Sequence, residues 1–318
     1  MKTLILFSIL TIVSVVSSCK KDNDTEPVNV DPVTYSSLKE FLSKNEKATQ
    51  VYFINGTSGG AFTSPQGTVV NIPAEAFVTS SGSPVTGIVT IQFKDLFKKS
   101  DMLFADKPTT TIFGTPLRSG GEFYIKALQN GAPVLLDNGK NIEVALPAAL
   151  TGGMDSVNIQ EPFILINDTA SQPGWAPDPG AAIFYDAGNY VYAMFQFSSP
   201  ADSGTWCNSD NSSFFNAYPQ VELTFETANV TDYDVEIFLV FKNIPSMVHV
   251  YPNWFNSNEY KYIYAPQGLQ CTLVALGLKN GVLYSAFKPI NITQSMTVNY
   301  TFTPTTSEDF KAALELLD

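Results

Sequence analysis

The chain has 318 residues and a formal net charge of −12, from 18 Lys and Arg against 30 Asp and Glu, with a single histidine. Phosphate binding needs clustered Lys and Arg to displace counterions, and no basic stripe runs anywhere in the sequence, so the composition argues against a nucleic-acid partner. Hydrophobic residues make up 44% of the chain, with 23 Phe, which is ample for buried cores, and the length suggests about two domains.

The chain opens on Lys2, an apolar run from Leu4 to Val16 and the small residues Ser17-Ser18 before Cys19; it then turns polar at Lys20-Lys21-Asp22-Asn23-Asp24. The apolar run is shorter than the roughly 20 residues a membrane span needs, so residues 1–18 read as a cleaved signal peptide. The segment before Cys19 resembles a bacterial lipobox, in which the cysteine thiol is acylated and becomes the new N-terminus. A lipidated, flexible tether over residues 19–33 follows from the charged, Asn-rich, Pro-punctuated composition. The expected location is the outer membrane, through the lipid anchor, at the cell surface or on the periplasmic face.

Tyr35, Leu38, Phe41 and Leu42 recur at helical spacing over Thr34 to Lys44 and predict one short helix packed on the first sheet. From Val51 the period is two. Val51 to Ile54, Thr68 to Ile72, Val85 to Phe93, Phe123 to Leu128, Val134 to Leu136 and Ile142 to Leu146 read as strands, and Asn130-Gly131 marks a tight hairpin. Gly152-Gly153 and the segment QPGWAPDPG, residues 172–180, predict a break in the ladder, and the domain boundary is placed near residue 155. Phe163 to Ile166, between them, is a strand that fits either half. Tyr190 to Phe197, Val221 to Phe225, Val235 to Phe241, Met247 to Tyr251, Tyr260 to Tyr264, Thr272 to Leu278, Val282 to Phe287 and Met296 to Phe302 follow, with a second hairpin at Asn280-Gly281. Thr306 caps a closing helix that places Phe310, Ala313, Leu314 and Leu317 on one face. The expectation is an all-β protein of two β-sandwich domains in tandem, residues 34–155 and 156–318, with a short helix at each end.

Gly59-Gly60, the run from Gly67 to Phe77 and Val85 to Val89 resemble the ZU5 pattern, a β-sandwich in which a glycine pair precedes a strand and an Ile-Pro-x-x-Ala turn follows it. Lys99-Ser100-Asp101-Met102, Pro108-Thr109, Ser119-Gly120-Gly121-Glu122-Phe123 and the Trp206-x-Asn208-x-Asp210 element are similar to segments of a family of Bacteroidota-type surface lipoproteins. The resemblance implies a ZU5-like first domain with an interaction or packing role. One ZU5-containing group cleaves itself at a His-Phe-Ser site; here His249 is followed by Val250 and Tyr251, so that activity does not carry over.

Gly56-Thr57-Ser58-Gly59-Gly60 satisfies Gly-x-Ser-x-Gly, but a nucleophile elbow needs a helix after it and the sequence offers a Pro-Gln-Gly turn, which favours a plain glycine-rich connection. His249 reads as a hydrogen-bonded strand residue, and one histidine cannot build a His-rich zinc site. Glu75, Asp95, Asp101, Glu122 and Glu222 are carboxylates that folding could pair for glycoside hydrolysis, and sequence spacing selects none of them. Asn208 and Asp210 offer hard oxygens of the kind calcium takes, the alternative being a polar loop with no ion. Cys207 and Cys271 either pair in an oxidising compartment or stand as two buried free thiols. Tyr251, Trp254, Phe255, Tyr260, Tyr262 and Tyr264 form an aromatic run among Asn and Pro, suited to a glycan or a protein interface, with core packing as the competing reading for the three alternating tyrosines. Trp254, Phe255 and Tyr260 are its candidate ligand-binding residues. The functional expectation is an envelope protein that binds or scaffolds without catalysis; the alternatives are glycan binding in a polysaccharide-uptake system and a carboxylate-based glycoside hydrolase.

Overall fold

The computed structural model describes residues 34–153, 160–166, 173–197, 204–227, 233–253 and 256–318. The leader, Cys19, the tether, Trp254 and Phe255 lie outside the described residues. No helix among those described is long and apolar enough to cross a membrane.

The architecture is two β-sandwiches and a layer of three short helices. One sheet of the first sandwich runs β1 (Gln50–Asn55), β5 (Ile88–Leu96), β6 (Arg118–Gln129), β14 (Thr205–Asn211), β10 (Glu161–Ile166) and β11 (Gly174–Pro177), with β7 (Ala132–Pro133) on the end of β6. Facing it are β12 (Ala181–Asp186), β13 (Asn189–Met194), β9 (Ile142–Pro147), β3 (Val69–Ile72) and β2 (Gly60–Thr63); β4 (Phe77–Val78) and β8 (Leu135–Leu136) form a small ladder beside them. Inward-facing side chains such as Ile91, Phe93, Phe123, Val144 and Tyr192 fill the space between the sheets.

The second sandwich has one sheet of β18 (Pro252–Asn253), β19 (Asn256–Pro266), β15 (Gln220–Thr227) and β22 (Met296–Tyr300). The other is β17 (Met247–Val250), β16 (Asp234–Phe241), β20 (Gln270–Lys279), β21 (Val282–Asn291) and β23 (Thr303–Pro304). Both hairpins expected from Asn-Gly are present, with Asn130 and Asn280 at φ of 51° and 52°.

The division at residue 155 is not where the sandwiches separate. β14 pairs with β6 and β13 pairs with β9, so strands up to residue 211 complete the first sandwich and β15 begins the second. The local break at Gly152-Gly153 is a connection within one domain, because the strands on either side of it find partners across it. The segment expected to be irregular supplies β11, paired with β10 from Phe163↔Pro177 to Ile166↔Gly174. A sheet edge tolerates the prolines, since an edge strand need not donate on its outer side.

The helices are α1 (Leu38–Asn45), α2 (Lys99–Phe104) and α3 (Ser307–Glu315). α1 was expected on the first sheet. Its Leu38, Phe41 and Leu42 instead join Phe104 of α2 and Phe310 of α3 against Phe238, Val240, Val274 and Leu276 of the second sandwich. On β16 and β20 the alternate residues Ile237, Leu239, Leu273 and Ala275 face the sandwich core. Both faces of this sheet are buried, so these strands are written as continuous apolar runs rather than as alternation.

Candidate functional site at the junction of the sandwiches

The connection from α2 to β6, residues 105–117, carries the first sandwich onto the second. Thr109 donates its N–H to the Met247 carbonyl at 2.8 Å, its hydroxyl accepts from the Met247 N–H at 2.8 Å, and Ser119 N–H reaches the Pro245 carbonyl at 2.9 Å. Lys99, almost wholly buried, donates Nζ to the Phe241 carbonyl at 2.8 Å, and burial depresses its pKa.

This connection forms one wall of a cleft of about 430 Å³. Its other walls come from His249 to Pro252, Lys261 to Tyr264 and Pro173. Thr111 builds a tight turn: its N–H donates to the Thr115 carbonyl, its carbonyl accepts from Gly114 N–H, and its Oγ1 accepts from the N–H groups of Phe113 and Thr115. The turn holds Phe113 at its tip, 75% exposed. Gly114 has φ of +85°, and a Cβ there would lie 3.3 Å from the Tyr264 ring, so glycine is what lets the turn close onto that tyrosine. The hydroxyls of Thr110, Tyr251 and Tyr262 are buried without a hydrogen-bond partner. Burial pushes the Tyr251 and Tyr262 phenols upward, so both stay neutral at physiological pH. Lys261, on the cleft wall, lies 3.7 Å from Glu222.

His249 stands between carboxylates of both domains. Its Nε2 meets Glu236 Oε2 at 2.5 Å, and its Nδ1 faces Asp106 Oδ1 across 3.7 Å. Its ring stacks on Phe238 at 4.4 Å and lies against Tyr251 at 4.1 Å. Burial raises the Asp106 pKa. The expected hydrogen-bonded strand histidine is what the structure holds.

A second polar group lies on the face of the first sandwich turned towards the second. Phe123 and Cys207 point into the sandwich core, so their neighbours Glu122 and Asn208, paired across β6 and β14, point out. Register then slips: Asp210 pairs with Ser119, so Gly120 and Gly121 of β6 stand opposite the single Ser209 of β14. The bulge is at Gly120-Gly121, where Gly121 has φ of +123° and a Cβ would fall 2.6 Å from the Phe97 ring. By this slip Ser119, Glu122, Asn208 and Asp210, all within 1% of full burial, share one face. Asn208 and Asp210 were expected in a loop; they are strand residues.

The other sequence candidates are scattered. Asp95 is buried, accepts from Ser64, Thr68 and Gln66 and faces Lys47 Nζ at 3.6 Å, a structural role. Glu75 is exposed at φ of 55°, Asp101 is half-buried in α2 with its pKa raised by burial, and Glu222 pairs with Lys261. In the Gly-x-Ser-x-Gly segment, Asn55 Oδ1 caps a turn by accepting from Thr57 and Ser58 N–H, and strand β2 follows where an elbow needs a helix. Tyr262 is buried in the second core, with Tyr260 and Tyr264 half-buried against it, so the alternating tyrosines are core residues. Cys207 and Cys271 are not bonded: both are free and buried, one in each sandwich core. Among the described residues no group of three or more His, Cys, Asp or Glu side chains could hold a metal.

Sequence reasoning missed Thr110, Ile112, Phe113 and Gly114. Phe113-Gly114 in a Thr-rich stretch is a turn signal, but nothing in it says that the turn faces β19, more than a hundred residues later. No protein-family model, no curated protein and no solved structure matches the chain.

Proposed function

We propose that this chain is a lipid-anchored envelope protein, held at the outer membrane through Cys19, that works by binding rather than by catalysis. The ZU5-like reading of the first sandwich belongs to the same proposal and rests on the glycine pair and the Ile72-Pro73 step.

The carrying observation is the cleft beside the Phe113 turn. A binding site benefits from apolar surface that is already rigid, because little conformational entropy is then lost on association. Phe113 is fixed by the Thr111 and Thr115 bonds and exposed, with Ile112 and Ile263 also exposed near it, at 46% and 52%. The lining offers aromatic and aliphatic faces and no carboxylate, with the hydroxyls of Thr110, Tyr251 and Tyr262 buried behind them. Saccharides present C–H faces and hydroxyls, so the ligand class that suits this lining is a neutral glycan. A two-carboxylate hydrolysis has no acid–base pair on these walls, and the His249 Nε2 is already engaged by Glu236.

A second reading, a protein partner, is favoured by a separate feature: edge strand β1 exposes Val51 and Phe53 on one face, with Ile88 exposed on its neighbour.

The test is a screen of the mature protein against neutral oligosaccharides beside the Phe113→Ala variant. Phe113 is exposed, so its truncation should leave stability within about 0.5 kcal/mol. Glycan affinity should fall about tenfold, or ~1.4 kcal/mol. The absence of any glycan ligand, or a ligand bound equally well by the variant, would defeat the cleft assignment.

A further inference from the structure

We propose that Glu122, Asn208 and Asp210, with Ser119, hold a hard divalent cation of the calcium class between β6 and β14, beneath the second sandwich.

Four observations converge. The side chains share one sheet face through a bulge that only the glycine pair permits, and each is almost wholly shielded from solvent. Two of the four, Glu122 and Asp210, are carboxylates on that same buried face. Three carboxylate oxygens, Glu122 Oε2 and both of Asp210, are buried without a well-directed hydrogen bond, although the Ser119 and Asn208 side chains lie near the Asp210 carboxylate. Finally, the remaining polar atoms are arranged to support an acceptor cluster: Ser119 Oγ donates to Asn208 Oδ1 at 2.9 Å, and Asn208 Nδ2 donates to Glu122 Oε1 at 3.3 Å.

Burying two carboxylates with incomplete hydrogen bonding is costly, and a fold resolves it by protonating them or by supplying positive charge. Lys107, buried in the 105–117 connection, has its Nζ over the Trp206 ring at 5.3 Å. The candidate ligand atoms are all oxygens, the unpartnered ones carboxylate and the hydrogen-bonded ones the Asn208 amide and Ser119 hydroxyl, which is the set calcium selects over softer metals. The ion would enter as the chain folds and would fasten the strand pair directly under the connection that carries Phe113. This site stands independently of what the cleft binds.

The experiment is thermal unfolding of the mature protein after EGTA treatment, with calcium titrated back and magnesium as comparison, alongside elemental analysis of the untreated protein. A bound ion stabilises by mass action, so at about a hundredfold excess over Kd the melting temperature should rise by at least ~4 °C. The near-isosteric variants Asp210→Asn and Glu122→Gln should lose most of that rise. No calcium response in the native sequence together with no metal by elemental analysis would overturn the proposal, as would a response of the same size in both variants. The native-sequence measurements decide the matter even where a variant fails to fold.

Discussion

The Cys207 and Cys271 thiols show how much a single residue's chemistry depends on its surroundings. Each lies on an inward-facing position of a strand, Cys207 beside Phe123 and Cys271 beside Ile290, in two cores that no loop could bring together. Burial pushes the Cys271 thiol up to about 12, and that of Cys207 well above its ordinary value. The folded state therefore favours the neutral thiol. That contribution to stability is complete below the unfolded thiol's value near 9 and is lost as pH rises from there towards 12. Iodoacetamide at pH 8 should leave both cysteines unlabelled in the native protein and label both in denaturant, and the melting temperature should fall between pH 9 and 12. Labelling of native protein at the unfolded rate would contradict the burial.

At the scale of elements, α2 is the instructive case. Six residues are too few to persist alone, and Lys98 at its N-cap makes no side-chain cap bond. The orphan donors are met from the far end of the chain: Asp318 takes the Ser100 N–H at 2.9 Å and the Ser100 hydroxyl at 2.6 Å. Asp318→Ala should cost about 1 kcal/mol, the usual price of a lost cap. Combined with Ser100→Ala it should show coupling, because both changes remove the same contact. Additive losses, or no loss from Asp318→Ala in urea unfolding, would remove the cap from the account. By contrast α1 and α3 carry their own caps, Ser37 and Thr306, each accepting from the N–H three residues on. A cap of that kind is readable in sequence because donor and acceptor are neighbours; the Asp318 cap is not.

Beyond the two sandwich cores, the described residues form a third core against the helices and a small cluster of Leu117, Phe163 and Trp175. The third joins a helix before the first sandwich, one inside it and one after the second. Phe41, Phe104 and Phe310 meet edge-on there, with centroids between 5.7 and 6.1 Å apart. Because Phe104 lies on α2, between strands β5 and β6 of the first sandwich, while its partners pack on the second domain's sheet, the sandwiches should unfold together. Phe104→Ala should cost about 3–5 kcal/mol, and hydrogen exchange should report lowered protection in both sandwiches. Two separate unfolding transitions, with only the second one shifted, would show that the helical layer does not couple them.

The amino-acid sequence by itself determined the local features: strand after strand from period-two runs, the Asn-Gly hairpins, the Thr306 cap and the apolar face of α3. Each depends on residues a few positions apart. Tertiary structure decided which strands share a sheet, and so moved the domain division from residue 155 to the stretch between β14 and β15. It also decided what the candidate residues face. The bulge at Gly120-Gly121 and the slip opposite Asp210 bring Glu122, Asn208 and Asp210 onto one buried face, and the 105–117 connection lays Phe113 beside Tyr264. Those are pairings across some ninety and a hundred and fifty residues respectively. They are set by register and by burial of whole faces, which no window of neighbouring residues encodes.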